Sequence, residues 1–323
     1  MSTKRLCEKC IVFAGRPAYN GTKYPEGAGV KRDRKRFPAA VLTIALLICF
    51  QAAGRGESSL RSRPILNAAF SLLEPGNPFT ERYNQATGES VEARMPLGVP
   101  FLWGGRTASH VFAKQPDYVV QAAWQNSPAY YRAGLKYLYG FDCYGFVAWA
   151  WEEACGTPMA RTDELLQDYD RHIRSSDGKK MPALSRMQWI LIPGDLLMIE
   201  HPGRHIAIYI GTLRMYGYTA EEVPELAAFL DDPLVIHATV NAQIADRFAD
   251  LIQNGLPKYS VATVTDGGVC VSLVSADSRT APHTVHQQNQ DTRYYELPDG
   301  TWLTVLGWQE VTRYCWYRTP EDM

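Results

Sequence analysis

Cys143 is the residue of this chain best placed to act as a nucleophile. It follows the turn Gly140-Phe141-Asp142 and opens the apolar segment 144–151, which predicts a helix that begins at Cys143. At a helix start, the unpaired backbone N–H groups and the helix dipole favour negative charge, so a thiolate would be stabilised. Free cysteine is also a common buried side chain, so a catalytic role needs a partner base.

Two downstream histidines lie on segments with the alternation of half-buried strands. His205 begins the run 205–211 and His237 lies in the run 234–240, and aliphatic side chains share one face of each. The run 196–199 precedes the first of them across a turn that contains Pro and Gly, which predicts a hairpin. If the strands pair in register, the two histidines lie side by side on the face opposite the aliphatic core.

A cysteine, a histidine base and a further polar group are the set of residues that acyl transfer requires. The base removes the thiol proton and later returns it to the leaving amine, while the backbone N–H of Cys143 can stabilise the oxyanion. The sequence contains no phosphate-binding loop, dinucleotide-binding glycine pattern or metal-ligand motif. We therefore expect neither a cofactor nor a metal.

Five short motifs follow one another between residues 98 and 240. They are Trp103-Gly104-Gly105, Gly140-Phe141-Asp142-Cys143, Pro193-Gly194-Asp195-Leu196, His205-Ile206-Ala207-Ile208-Tyr209-Ile210-Gly211 and Ile236-His237-Ala238. Their order and spacing resemble the NlpC-type cysteine peptidases, bacterial enzymes that cut the peptide stems of peptidoglycan. The resemblance implies that Cys143 is the nucleophile, His205 the base and His237 the orienting third residue. It also implies an α+β, papain-like fold in which the cysteine helix packs on an antiparallel β-sheet.

Two positions depart from the family pattern. Many members have a tyrosine in place of Phe101 and a serine in place of Tyr144. That serine helps the preceding aspartate, here Asp142, to hold the free amine of a trimmed stem peptide. Because a phenol is too long for this role, we expect cleavage within intact, glycan-attached stems; Asp142 can also act only as a helix cap. Together with Trp103, these residues form the predicted substrate-binding set.

Two inserts interrupt the pattern. The first lies between Gly105 and Gly140 and is rich in aromatic residues, and the second, 212–233, includes a predicted short helix at 220–230. Inserts of this length either rim the cleft or pack on the outside of the fold. The aromatic residues of the first insert are Tyr118, Trp124, Tyr130, Tyr131, Tyr137 and Tyr139.

Residues 31–54 have the layout of a secretory signal: a basic stretch, an apolar run and then small residues. The alternatives are a retained membrane anchor within 38–54 and a lipoprotein site at Cys49, against which the bulky preceding residue argues. A signal normally opens a chain, so we regard residues 1–30 as a doubtful extension. The expected location is the cell envelope, the cell surface or the extracellular medium.

The charge distribution argues against a nucleic-acid partner. The chain has a net charge of -1, but residues 1–54 hold ten Lys and Arg against three Asp and Glu, so the remainder carries -8. An acidic protein is poorly suited to neutralise phosphates, and the expected partners are peptidoglycan peptides. Four of the seven cysteines follow residue 54, and Cys270 and Cys315, both in strand-like segments, could pair in an oxidising compartment.

The remaining chain divides into a helical brace at 55–97, a catalytic domain at 98–258 and a C-terminal β extension at 259–323. We predict helices at 63–73 and 161–173, and the cysteine helix is expected to end at Gly156. The strands of the last region either extend the central sheet or form a small separate unit. They are predicted at 261–264, 269–274, 292–296, 302–306 and 311–317.

The leading hypothesis is a secreted cysteine endopeptidase that acts on peptidoglycan stem peptides. An amidase or an acyltransferase could use the same fold and residues. A third hypothesis is a non-catalytic binding protein of the cell surface, in which the nucleophile or the base would be lost. Both are retained here.

Overall fold

The computed structural model describes the chain from residue 60 onward, with gaps. The described residues are 60–95, 97–106, 108, 117–119, 136–138, 140–178, 190–201, 203–241, 267–275, 284–285, 293–307 and 311–323. Residues 57–323 cluster as one unit. The segments 1–30 and 31–54 lie outside the described residues, as does the predicted strand at 261–264.

The helix that carries Cys143 begins and ends where the sequence predicts. The Asp142 side chain accepts a hydrogen bond from the backbone N–H of Gly145 at 2.7 Å, which caps the first turn. At the other end, Gly156 takes a left-handed conformation, φ 70°, that stops the helix. The α-helices with described bounds are α1 (Pro64–Phe70), α2 (Pro78–Thr87), α3 (Cys143–Cys155) and α4 (Thr162–Leu165).

Most of the strands form one large mixed sheet. The strands with described bounds are β1 (Asp117–Val119), β2 (Lys136–Leu138), β3 (His172–Asp177), β4 (Leu196–His201), β5 (His205–Thr212), β6 (Pro233–Val240), β7 (Gly267–Ser275), β8 (Thr284–Val285), β9 (Arg293–Glu296), β10 (Trp302–Gly307) and β11 (Arg313–Tyr317). Among the described residues the sheet has nine strands, in the order β3-β11-β4-β5-β6-β7-β10-β9-β8. β10 pairs parallel with β7, whereas the other neighbours are antiparallel, so the expectation of an antiparallel sheet is corrected at this one pair.

The main hydrophobic core lies between the helices and the sheet. Helix α3 packs against α1, β5 and β6, and the alternating aliphatic residues of the two strands, such as Ile208 and Ile236, are fully buried. A second hydrophobic cluster, which includes Tyr209, Val235 and Trp316, packs on the opposite face of these strands. The helices and the mixed sheet confirm the α+β class.

The C-terminal strands belong to the central sheet. β7 pairs with β6, β10 pairs with β7, and β11 lies between β3 and β4. Of the two alternatives left by the sequence, the strands therefore extend the sheet. The same order separates Cys270 from Cys315 by three intervening strands, about 19 Å at the usual strand spacing. A disulfide needs Cα atoms within about 7 Å, so these two cysteines cannot pair, and both are free.

One predicted helix is wrong and a second is shorter than predicted. The predicted helix at 161–173 is one turn, α4, followed by a 3-10 turn at Tyr169–Arg171. Its last two positions belong to strand β3, whose backbone pairs with the distant strand β11. In the second insert, the short helix predicted at 220–230 is a 3-10 segment, Pro224–Phe229, and a further 3-10 segment lies at Leu213–Tyr216.

The first insert is described only in part. β1 and β2 pair antiparallel as a two-stranded sheet, with Tyr118 opposite Tyr137. Trp124, Tyr130, Tyr131 and Tyr139 lie outside the described residues. In the part of the chain that is described, no helix is long and apolar enough to cross a membrane, and the predicted anchor at 38–54 lies outside it.

Candidate active site

Cys143 is held at the start of α3 by a set of backbone contacts. The amide of Asp142 donates to the carbonyl oxygen of Gly105 at 2.8 Å, and Phe101 forms a parallel β-bridge with Phe141. These contacts fix the loop that delivers Cys143, which is half-buried against the main core. The nucleophile is therefore positioned by residues on both sides of the first insert.

Two glycines, Gly105 and Gly145, let the Trp103-Gly104-Gly105 turn lie directly against the loop of Cys143. A Cβ atom on Gly105 would overlap the carbonyl oxygen of Gly140, and one on Gly145 would overlap the carbonyl oxygen of Gly105. Contacts this close are available only to residues without a side chain. The turn and the start of α3 consequently form one packed unit.

The two predicted histidines lie side by side. His205 starts β5 and His237 lies in the neighbouring strand β6, where Ile208 faces Ile236 and both histidines have the opposite parity. The Nε2 atom of His205 is 2.5 Å from Nδ1 of His237, and the rings meet edge to face. His237 is 1% exposed, and His205 is half-buried. The parity argument from the sequence is confirmed.

Cys143 lies next to the start of strand β5. The backbone N–H groups of Ile206 and Tyr144 hydrogen-bond to its sulfur and favour the thiolate. The first of these amides belongs to the peptide that joins His205 to Ile206. The predicted nucleophile thus lies at the end of β5 from which the predicted base starts.

The thiol of Cys143 and the imidazole of His205 are both shifted towards their neutral forms. Burial, followed by the charge of Asp142, raises the pKa of the Cys143 thiol above its ordinary value, and this outweighs the two amides and Arg106. The expectation of a thiolate stabilised by the helix start is therefore corrected: loss of hydration dominates. Burial lowers the pKa of His205 to about 4, so this imidazole is neutral at pH 7 and able to accept a proton.

Arg106 was missed by the sequence argument. Its Nε donates to Asp142 Oδ2 at 3.1 Å, and its guanidinium lies 5.3 Å from the centre of the Tyr144 ring. The other carboxylate oxygen of Asp142 accepts from Gly145. The carboxylate next to the nucleophile thus has one partner on each oxygen, and one of these partners is a cation.

Phe101 and Trp103 lie close to each other, but only one is accessible. Their rings meet edge to face with centroids 5.1 Å apart. Phe101 is buried in the main core, whereas Trp103 is 41% exposed. Of the two, Trp103 is the side chain that a substrate can contact.

Two further residues extend the histidine pair and were also missed. Ser272 Oγ lies 2.6 Å from His237 Nε2, and Thr304 Oγ1 is hydrogen-bonded to Ser272 Oγ. Serine and threonine are common in strands, so only the register between β6, β7 and β10 singles these two out. Within the described ranges, no group of three His, Cys, Asp or Glu side chains could hold a metal ion.

Comparisons with known proteins identify the family that part of this chain matches. Residues 98–243 match the model of the NlpC/P60 family, so the resemblance to NlpC-type peptidases is confirmed for this segment, which contains Cys143, His205 and His237. Three mycobacterial proteins, each named a probable endopeptidase, are 33% identical over 137 residues; one is from Mycobacterium bovis and two are from strains of Mycobacterium tuberculosis. The alignment covers 39% of this chain and 29% of each relative, so it spans less than a third of their length. No solved structure gives a significant match.

Proposed function

We propose that the chain is a cysteine peptidase with a papain-like fold that hydrolyses amide bonds in peptidoglycan stem peptides. The observation that carries the proposal is the convergence of Cys143 and the His205–His237 pair on the peptide between residues 205 and 206. The family match and the names of the mycobacterial relatives support a peptidase.

The proposed reaction begins with a neutral thiol and a neutral imidazole. His205 removes the proton of Cys143 as the sulfur attacks the carbonyl carbon of the scissile amide. The backbone N–H of Cys143, at the start of α3, donates to the oxyanion that forms. His205 then gives its proton to the departing amine, which leaves a thioester on Cys143. A water molecule, deprotonated by His205, hydrolyses the thioester and restores the thiol.

Mass spectrometry of the products from defined muropeptides tests this proposal. We expect cleavage between stem residues, loss of all hydrolysis in Cys143→Ala, and normal hydrolysis in Cys155→Ala, which removes the exposed thiol at the other end of the same helix. Cleavage at the bond between sugar and peptide would instead indicate an amidase, and acyl exchange an acyltransferase. Binding without turnover would indicate a surface-binding protein.

We further propose that the enzyme accepts intact stems and does not need a free amino terminus. The support is the pairing of Asp142 with Arg106 and Gly145, which occupies the carboxylate that would otherwise meet a substrate amine. One stem peptide is supplied free and still linked to muramic acid. A tenfold preference for the free peptide, about 1.4 kcal/mol in transition-state binding, would contradict the proposal.

A charge-removing variant sharpens this comparison. Arg106→Gln frees one oxygen of Asp142, so it should raise kcat/KM for the free peptide several-fold relative to the linked one. Arg171→Gln, which removes a surface arginine near Asp168, is the matched control and should leave the ratio unchanged. An unchanged ratio in Arg106→Gln would show that the ion pair has no part in selection.

Export to the cell envelope is proposed from the sequence pattern of residues 31–54 alone. N-terminal sequencing of the protein isolated from its native host tests it. A mature terminus shortly after residue 54 would support a cleaved signal. An intact basic stretch on a membrane-bound protein would support the anchor, and a lipid-modified Cys49 the lipoprotein.

A further inference from the structure

We propose that Ser272 and Thr304 are positioning residues that set the tautomers of both active-site histidines. They do so through a chain of hydrogen bonds that ends on the carbonyl oxygen of Val271. This inference rests on the proposed function, because it explains how His205 comes to present an unprotonated nitrogen to Cys143.

The hydrogen-bond chain joins three neighbouring strands of the sheet, β6, β7 and β10. His237 Nε2 lies 2.6 Å from Ser272 Oγ, which is hydrogen-bonded to Thr304 Oγ1, and Thr304 Oγ1 lies 3.2 Å from the carbonyl oxygen of Val271. The strand register creates these contacts: β7 pairs with β6 on one side, and Ser272 faces Thr304 of β10 on the other. His237 and Ser272 are each 1% exposed and Thr304 is 4% exposed. Water therefore does not compete for these bonds.

The carbonyl oxygen of Val271, at the end of the hydrogen-bond chain, determines which group donates at each step. A carbonyl oxygen can only accept, so Thr304 donates its single hydroxyl proton to Val271 and accepts the proton of Ser272. Ser272 has then used its own proton and must accept from His237 Nε2. The Cys270 thiol, 3.7 Å from Thr304 Oγ1 and 4.0 Å from Ser272 Oγ, can add a weak donor to either oxygen without reversing this order.

The direction of the hydrogen bonds also determines the tautomers of the two histidine rings. Burial, together with the neighbouring His205, lowers the pKa of His237, so this ring is neutral and carries one proton, which the chain places on Nε2. Its Nδ1 therefore accepts, and the partner 2.5 Å away, His205 Nε2, donates. Neutral His205 is left with an unprotonated Nδ1, the atom that can take the thiol proton. If the chain ran the other way, His205 would carry its proton on Nδ1 and could not act as a base.

The variant Thr304→Val tests the direction of donation along the hydrogen-bond chain, because it removes the hydroxyl with little change in side-chain shape. We expect kcat to fall about tenfold with KM within twofold, an effect of the size found for the outer hydrogen-bond partners of metal-bound imidazoles. Thr304→Ser keeps the hydroxyl and should restore most of kcat. Thr301→Val makes the same change at a buried threonine that is not part of the hydrogen-bond chain. It is the matched control and should leave kcat near that of the wild type.

Nitrogen NMR of the protein labelled at its seven histidines reads the tautomers without any assay of activity. The two rings are assigned from His205→Ala and His237→Ala. In the wild type we expect the proton on Nε2 of both rings, and in Thr304→Val a mixture of tautomers. The proton on Nδ1 of His205 in the wild type, or an unchanged spectrum in Thr304→Val, would overturn the inference. Equal losses of kcat in Thr304→Val and Thr301→Val would overturn it as well.

The two proposals fail separately. If Cys143→Ala retains hydrolysis, the proposed function is wrong, yet the NMR result still reports the direction of the hydrogen-bond chain. If Cys143→Ala is inactive but the tautomers do not respond to Thr304→Val, the peptidase stands and the positioning role of Ser272 and Thr304 is refuted.

Discussion

At neutral pH the free protein holds Cys143 as a thiol and His205 as a neutral imidazole. The cost of dehydrating a charge exceeds what the helix start returns to a thiolate, so burial sets the protonation state of both groups. In the proposed reaction, the attack on a substrate therefore coincides with proton transfer from sulfur to nitrogen. The pH dependence of the reaction follows from this assignment.

Activity should persist well below neutral pH. Because burial lowers the pKa of His205 to about 4, the base remains unprotonated at pH 5, and the acidic limb of kcat/KM should have its midpoint near pH 4. A pH profile with a stem peptide measures it. A midpoint near 6.5, the value of an exposed histidine, would contradict the assignment.

The contribution of His205 to stability should fall over the same range of pH. The unfolded chain protonates His205 near pH 6.5, whereas the folded protein does so only near pH 4, so at this residue the unfolded state binds more protons between these values. This contribution to the free energy of unfolding should therefore decrease as the pH falls from about 6.5 to 4. Burial raises the pKa of Asp195 to about 6 and that of Asp232 to about 7, so these two groups act in the opposite direction. Urea unfolding of the wild type and of His205→Gln at several pH values isolates the histidine, because the difference between the two proteins should shrink as the pH falls from about 6.5 to 4.

The two histidines should differ in their contribution to turnover. His205→Ala removes the base and should lower kcat by roughly 10²–10⁴-fold, the usual range for general base catalysis. His237→Ala removes only the ring that is hydrogen-bonded to His205, so the loss of kcat should be smaller. Steady-state kinetics on one stem peptide compare the two, and silent substitutions at both positions would refute the site.

The sequence alone could identify the central residues of the site but not their support. Cys143, His205 and His237 are rare residue types, and a helix start and strand alternation mark their positions. Arg106, by contrast, is an ordinary charged residue next to an insert, and Ser272 is an ordinary strand hydroxyl. Their roles depend on contacts with residues 36 and 35 positions away, which no local pattern encodes.

At the scale of elements, the site depends on how closely the turn at 103–105 approaches helix α3. The contact is made by backbone on both sides, at Gly105 and Gly140 and again at Gly145. Burying backbone against backbone leaves no side chain free to adjust. A single added methyl group must therefore move the loop that holds Cys143.

Gly105→Ala should both destabilise the protein and lower its activity. Its Cβ atom would overlap the carbonyl oxygen of Gly140, and overpacking of this kind costs about 1–3 kcal/mol. Gly203→Ala, in the turn between β4 and β5, is the matched control, since no described atom lies within 4 Å of its Cβ position. Urea unfolding and kcat/KM are measured for both. Equal behaviour of the two variants would show that the turn does not position the nucleophile.

Elements with a strong periodic pattern could be predicted, and those defined by distant partners could not. The strands 205–211 and 234–240 were found to within two residues of β5 and β6, because one face of each packs on the core. Strand β3 is absent from the sequence prediction, whose helix at 161–173 runs into its first two residues, because β3 is mostly polar and its hydrogen-bond partner, β11, lies about 140 positions later. Tertiary pairing there overrides local propensity.

At the scale of the whole molecule, one polar cluster joins distant parts of the chain. The guanidinium of Arg63 donates to the carbonyl oxygens of Pro193 and Pro320 and to the hydroxyl of Thr319. The backbone carbonyl of Met323 accepts from the N–H of Ile65 at 3.0 Å. The beginning of helix α1, the turn before β4 and the C-terminal segment are thereby fixed to one another. The described parts of the predicted brace at 55–97 and of the predicted extension at 259–323 are thus joined by hydrogen bonds.

Arg63→Ala should therefore destabilise the entire described fold. Arg63 is 8% exposed, and its removal leaves buried oxygen acceptors without their donor, which costs about 2–4 kcal/mol in the free energy of unfolding. Arg161→Ala, which breaks the surface pair with Asp163, is the matched control and should change that free energy by less than about 0.5 kcal/mol. Urea unfolding followed by tryptophan fluorescence and by circular dichroism compares the two variants. Because the cluster ties both ends to the catalytic sheet, we expect one cooperative transition that moves as a whole. A loss confined to an early, separate transition would show that the C-terminal strands unfold as an independent unit.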